Sequence, residues 1–176
     1  MTKVAVLVGS LQKNSFNKKL AAAIERQAGD MEFHYVDMNL PLFNQDLESN
    51  VPEEVKAAKQ IVDESDAVLI VTPEYNRTAP GLLVNAIDWL SRPYGDNSFS
   101  GKPVAMAGAS VSPLGTAVSQ NMLRHTLTYL NTKLMGQPEV YFRTAQELFD
   151  DEGNLDEAHD QELANFVKSF DSWIKG

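Results

Sequence analysis

The sequence predicts an α/β protein: a doubly wound sandwich with a five-stranded parallel sheet in the order 2-1-3-4-5 and helices on both faces. Three observations lead there. Two segments, Val4-Ala5-Val6-Leu7-Val8 and Ala67-Val68-Leu69-Ile70-Val71, are apolar throughout, as strands covered on both faces must be. Strand-like and helix-like patterns alternate along the whole chain, and strict alternation builds a parallel sheet through crossover helices. The strand count of five fits this order better than the six-stranded arrangement of dinucleotide folds.

The elements follow in turn. After the first strand, Asn17 to Ala28 carries Leu20, Ile24 and Ala28 at helical spacing. Glu32 to Val36 is a half-polar second strand, suited to a position nearer an edge. Asn39 to Val51 is a loop holding Pro41. Pro52 opens a helix to about Glu64, with Glu53 and Glu54 where the helix dipole favours acids. The third strand, residues 67–71, leads to a second proline-opened helix, Pro80 to Leu90. Lys102 to Ala109 contains the fourth strand. Gly115 to Leu130 is a helix with Val118, Met122, Leu123, Leu127 and Leu130 as its apolar stripe. Glu139 to Phe142 is the fifth strand. A polar turn, Asp150 to Asn154, precedes an amphipathic closing helix from Asp156 to Ile174, whose stripe is Leu163, Phe166, Val167, Phe170 and Trp173 or Ile174. No repeat or linker interrupts this succession, so residues 1–176 read as a single domain.

Composition narrows the function. The 176 residues can bury a proper core, and 43% hydrophobic content is ordinary for a globular chain. No apolar run approaches the ~18 residues of a membrane span, and the first one is too short for a secretory segment. A cytoplasmic protein without membrane attachment is expected. The net charge of −9 argues against nucleic acid or anionic lipid as a partner and is explained by solubility. The absence of cysteine excludes disulfides, thiolate ligands and a thiol nucleophile, so any redox chemistry must come from a bound cofactor. His34, His125 and His159 are scattered without metal-ligand spacing, and no metal site is expected.

Ligands of open α/β sheets sit beyond the carboxyl ends of the strands, where strand order reverses. Here those are the ends of the first and third strands. The first carries Gly9-Ser10-Leu11-Gln12-Lys13-Asn14-Ser15-Phe16-Asn17. Glycine allows a tight turn and close approach. Ser10, Ser15 and Asn17 place short polar groups beside the free N–H groups of a helix start, which suits a phosphate monoester. Helix capping alone would explain one such residue rather than the whole stretch. Neither Gly-x-Gly-x-x-Gly nor a Gly-Lys-Ser/Thr ending is present. The third strand ends in Thr72-Pro73-Glu74-Tyr75-Asn76-Arg77-Thr78-Ala79-Pro80-Gly81, a loop stiffened by two prolines. Tyr75 is suited to lie beside a flat ring, with the backbone of Glu74 and Asn76 near its polar edge. Taken alone, this loop would read as a rigid, capped connection.

Together these motifs resemble the NAD(P)H-dependent FMN reductase family, in the branch with bacterial quinone and chromate reductases. The phosphate loop is Gly9 to Asn17. The more specific motif is Thr72-Pro73-Glu74-Tyr75-Asn76, followed by Pro80-Gly81 and Asn85-Ala86-Ile87-Asp88-Trp89. Gly101-Lys102-Pro103-Val104 and the loop from Ser110 to Gly115 extend the similarity over nearly the whole chain.

The resemblance implies a flavodoxin-like three-layer sandwich that binds FMN and takes two electrons from NADPH or NADH. These pass by a ping-pong route to a small-molecule electron acceptor such as a quinone, an azo compound or free flavin. It implies that Ser10, Gln12, Ser15 and Asn17 surround the FMN phosphate and that Pro73, Glu74, Tyr75 and Asn76 line the isoalloxazine, largely through backbone groups. Ser110 falls near the ring or ribityl chain. No side chain is needed as acid or base, so no catalytic residue is named. A homodimer or homotetramer is implied, with Trp89, Leu90, Pro93 and Tyr94 either core or subunit contact.

Three departures stand out. Gln12 replaces the family's usual arginine, losing a charged contact to phosphate. Val84 stands where lysine is common, and the Ser110 to Thr116 loop is poorer in glycine. Two rivals share the fold. A flavodoxin-like FMN electron carrier would serve a protein partner, but it typically has a threonine-rich phosphate loop. A receiver domain needs an aspartate where Thr72 stands.

Overall fold

The computed structural model describes residues 1–176. The elements are β1 (Thr2–Val8), α1 (Phe16–Arg26), β2 (Met31–Tyr35), a 3₁₀ turn (Gln45–Asn50), α2 (Glu53–Asp63), β3 (Ala67–Val71), α3 (Gly81–Leu90), β4 (Pro103–Ala109), α4 (Ala117–Tyr129), β5 (Lys133–Leu134), β6 (Val140–Phe142), α5 (Ala145–Leu148) and α6 (Glu157–Lys175). All strand pairs are parallel, and the order is β2-β1-β3-β4-β5, with β6 also beside β4. This is the flavodoxin-like 2-1-3-4-5 order.

The outermost strand differs from expectation. A single strand from Glu139 to Phe142 was expected there. The position is instead shared by β5, beside Pro103 and Val104, and β6, beside Ala107 to Ala109. Gly136 and Pro138 lie between the two pieces. Proline has no N–H to donate to a ladder, and glycine weakens a strand interior.

The alternation of the central strands sorts their side chains into two layers. Val4, Val6 and Leu69 face α1 and α6, meeting Leu20, Ile24, Phe166 and Phe170. Ala5, Leu7, Val68 and Ile70 face α2, α3 and α4, meeting Val62, Leu83, Leu123 and Leu127. Each fully buried Leu or Phe contributes about 1.5–3 kcal/mol of transfer free energy.

Helix α4 departs from its expected stripe. Val118 is half-buried and Met122 is exposed, whereas Ser119 and Gln120 are buried beside Leu123 and Leu127. Hydrogen bonds account for this. Ser119 Oγ lies 3.0 Å from Thr72 Oγ1, while Gln120 Nε2 donates to Thr116 Oγ1 and to the Val140 carbonyl. A buried polar group that is hydrogen-bonded loses little, although Gln120 Oε1 is left without a partner. The expected loop from Asn39 to Val51 contains the 3₁₀ turn, and Pro52 and Pro80 are cap residues just outside α2 and α3. At the end of α3, Trp89 is core, its Nε1 donating to the Pro41 carbonyl, but Tyr94 is exposed.

One bond pair positions the site. Asn17, buried in the first turn of α1, donates from Nδ2 to the Ala109 carbonyl and accepts the Ala109 N–H on Oδ1, both at 2.9 Å. The amide behaves as a one-residue strand and pins the start of α1 to the carboxyl end of β4.

Candidate active site

Three loops converge beyond the carboxyl ends of β1, β3 and β4. The first runs from Gly9 to Ser15. Ser15 caps α1, accepting the N–H groups of Asn17 and Lys18, and Ser10 Oγ accepts the N–H of Gln12. The N–H groups of Lys13, Asn14 and Ser15 donate to no protein group. Three such donors at a helix start, where the dipole adds about half a positive charge, form an anion site. Gly9 is required by packing, because a Cβ there would lie 2.6 Å from Leu83 Cδ1 and 3.0 Å from Pro73 Cδ.

The second loop, Thr72 to Pro80, is a tight hairpin. Tyr75 and Thr78 pair in antiparallel fashion around Asn76 and Arg77, both left-handed at φ 52° and 58°. Two consecutive left-handed residues define a type I′ turn. A left-handed arginine costs about 1–2 kcal/mol, which the surroundings must offset. The third loop, Ser110 to Thr116, starts from a buried Ser110 whose Oγ accepts the N–H of Ser112.

A carboxylate ties the second loop to the third. The Glu74 side chain is only 2% exposed. Its Oε2 accepts the N–H groups of Val118 (3.0 Å) and Ser119 (3.2 Å), while Oε1 accepts Arg77 Nη1 at 2.8 Å. Glu74 therefore caps α4, whose own cap residue Thr116 makes no side-chain capping bond. Arg77 Nη1 also donates to Ser112 Oγ at 2.8 Å. Around the resulting slot, Tyr75 is half exposed, and the N–H groups of Glu74, Asn76 and Val111 have no protein acceptor.

The structure thus brings Ser10, Gln12 and Ser15 to one loop, Pro73, Glu74, Tyr75 and Asn76 to a second, and Ser110 to a third, all at one end of the sheet. Asn17 is engaged with Ala109. The Glu74 carboxylate is turned inward to α4, leaving its backbone for the slot. Sequence reasoning missed Thr72, Arg77, Ser112 and Ser119, which brace the loops. No local pattern in the sequence names their partners, which lie 35 to 47 positions away. No group of three or more His, Cys, Asp or Glu side chains is placed to hold a metal ion.

The free N–H groups at the start of α1, with those of Glu74, Asn76 and Val111 on the two braced loops, suit a mononucleotide with a planar ring. The fold and site define a class: mononucleotide-binding doubly wound α/β proteins. The profile of the NADPH-dependent FMN reductase family matches residues 2–147, and the chain belongs to that family. It is an oxidoreductase with FMN as cofactor and NAD(P)H as electron donor. Among its relatives, a 2-hydroxy-1,4-benzoquinone reductase from Burkholderia sp is 45% identical over 98% of this chain and 96% of its own. A quinone reductase from Pseudomonas putida is 43% identical over 98% and 94%. The structure superposes on the flavoenzyme NAD(P)H:(acceptor) oxidoreductase of Paracoccus denitrificans with TM-score 0.94 at 42% identity, covering 99% and 98% of the two chains.

Proposed function

We propose that this enzyme is an FMN-dependent NAD(P)H:quinone reductase working by a ping-pong route. The observation that carries the reading is the set of unpartnered N–H groups at the start of α1 and on two loops braced to each other, all at one end of the sheet. The relatives named as quinone reductases support the acceptor class.

The chain's residues divide the work. The N–H groups of Lys13 to Ser15, with Ser10, Ser15 and the exposed Gln12, hold the phosphate, and Asn17 fixes the end of that loop. The backbone of Pro73 to Asn76 lines the ring, Tyr75 covers its edge, and Ser110 bounds the ribityl side. The bound FMN supplies the hydride-accepting and hydride-donating centre. Backbone N–H groups of Glu74 and Asn76 favour negative charge on the ring without rearranging. Donor and acceptor occupy the same open face in turn, which gives the ping-pong order.

The test is optical and kinetic. With FMN added, the protein should show flavin absorbance that bleaches anaerobically on adding NADPH or NADH. Initial rates against a quinone should give parallel double-reciprocal lines. Bands that persist with both donors would favour an FMN electron carrier, and absence of flavin binding would sink the assignment. Intersecting lines would remove the ping-pong order alone.

We further infer a homodimer formed through the α3–α4 face. There Val84, Met122, Tyr94 and Tyr129 are exposed around a cleft lined by residues of both helices. Aromatic residues and methionine are enriched at subunit interfaces. Sedimentation should give a dimer or a multiple of it, and Met122→Glu should give monomers. A native monomer would overturn this. No helix is long and apolar enough to cross a membrane, which is consistent with the cytoplasmic location we propose.

A further inference from the structure

Arg77 is the only cation in the two slot-lining loops, residues 72–80 and 110–116. Its place is fixed on three sides: by the left-handed turn, by Glu74 and by Ser112. Yet the side chain is 54% exposed. Both contacts use Nη1, so Nη2 and Nε, which carry the remaining N–H groups of the guanidinium, donate to nothing in the protein. The pairing with Glu74 does not cancel its charge. That carboxylate also accepts two N–H groups at the start of α4, where the helix dipole adds about half a positive charge. The cluster therefore keeps a positive excess, presented at the junction of the loops in a protein of net charge −9.

We propose that Arg77 selects anionic quinones, those carrying an ionised hydroxyl next to a ring carbonyl. This rests on the quinone-reductase reading and names the acceptor that its site prefers. A 2-hydroxyquinone is a vinylogous carboxylic acid and is an anion at neutral pH. The charge is shared between the C2 oxygen and the C4 carbonyl oxygen, and the ionised C2 oxygen with the adjacent C1 carbonyl oxygen offers two coplanar acceptors to the planar fork of a guanidinium, which lysine or a neutral amide cannot reproduce. Without such a partner, the acidic protein would repel this acceptor. The overall reaction balances: the quinone anion gains a hydride equivalent originating from NAD(P)H and two protons from water. It leaves as the neutral trihydroxybenzene, and the donor leaves as NAD(P)⁺.

The experiment compares kcat/KM for 2-hydroxy-1,4-benzoquinone and unsubstituted 1,4-benzoquinone, using FMN-loaded native enzyme, Arg77→Gln, Arg77→Lys and Ser112→Ala. Arg77→Gln should shift the ratio against the anion by about ten- to a hundredfold, the range for a lost hydrogen bond to a charged group. Arg77→Lys should recover part of that ratio. Ser112→Ala, which removes the brace but keeps the charge, should retain the native ratio. Raising the ionic strength should lower the ratio in the native enzyme and not in Arg77→Gln. Equal losses for both quinones in Arg77→Gln would show that Arg77 only braces the loops and would overturn the proposal. So would an unchanged ratio, or an effect confined to the half-reaction with the donor. A native enzyme that reduces neither quinone would instead remove the quinone-reductase function, and this inference with it.

Discussion

Gly108→Ala is expected to destabilise the protein by about 3 kcal/mol or more, at the upper end for overpacking a filled core, and to weaken FMN binding with it. Gly108 lies in β4, beside the places where β3 ends and α4 begins. A methyl group there would overlap the Thr72 carbonyl oxygen and the Thr116 hydroxyl. Neither neighbour can retreat. The Thr72 N–H is bonded to the Ala107 carbonyl at 3.0 Å, and its hydroxyl meets Ser119. Thr116 is fully buried and holds Gln120. Any relief must push β3 away from β4, which separates the two slot-lining loops at their roots. The melting temperature should fall by about 6–12 °C, given about 2–4 °C per kcal/mol for a chain of this size. Melts of the apoprotein, with and without FMN, measure both effects. A Tm within about 2 °C of native would show that β4 absorbs the methyl group and that the packing argument is wrong.

Glu74→Ala should be nearly as damaging, with a different profile. Removing the carboxylate leaves the N–H groups of Val118 and Ser119 without acceptors and frees Arg77 from its strained turn. An unmet buried donor costs about 1–3 kcal/mol, so a total of about 3 kcal/mol is expected. The loops are then tied by the Thr72–Ser119 and Arg77–Ser112 contacts, without the carboxylate between them. FMN affinity should therefore drop by more than the global stability does. Glu74→Gln keeps one acceptor for α4 and should lie between the two. Fluorescence titration with FMN gives the dissociation constants to set beside the melts. If both variants bind FMN as native does, the bridge does not shape the slot.

Much of this architecture was legible in the chain. The bounds of β3 matched an all-apolar run between turn residues, because such a run has only one stable home, the middle of a covered sheet. The loops after β1 and β3 were singled out because strand order dictates where an open α/β sheet binds its ligand; the loop from Ser110 came from the family resemblance. What was illegible depended on distant partners. Val118 and Met122 looked like core by spacing, but Ser119 and Gln120 took the buried side by bonding to Thr72, Thr116 and Val140. Asn17 looked like a ligand group because amides at helix starts often are, and nothing local reveals its bonds to Ala109, 92 positions away. The Glu74 carboxylate is the same kind of case, reaching residues 44 and 45 positions on. Lys133-Leu134 was too short to stand out as a strand until it was seen beside β4.

The broken outer strand has a consequence for life in a crowded solution. An open sheet offers unsatisfied backbone groups along its margins, and a long flat margin can recruit a strand from another chain, the first step towards fibrous aggregation. Here one margin is made of fragments of two and three residues, well short of the six or seven that a cross-β stack needs. The interruption at Gly136 and Pro138 therefore acts as insulation. It leaves β2, five residues long, as the sheet's one continuous margin.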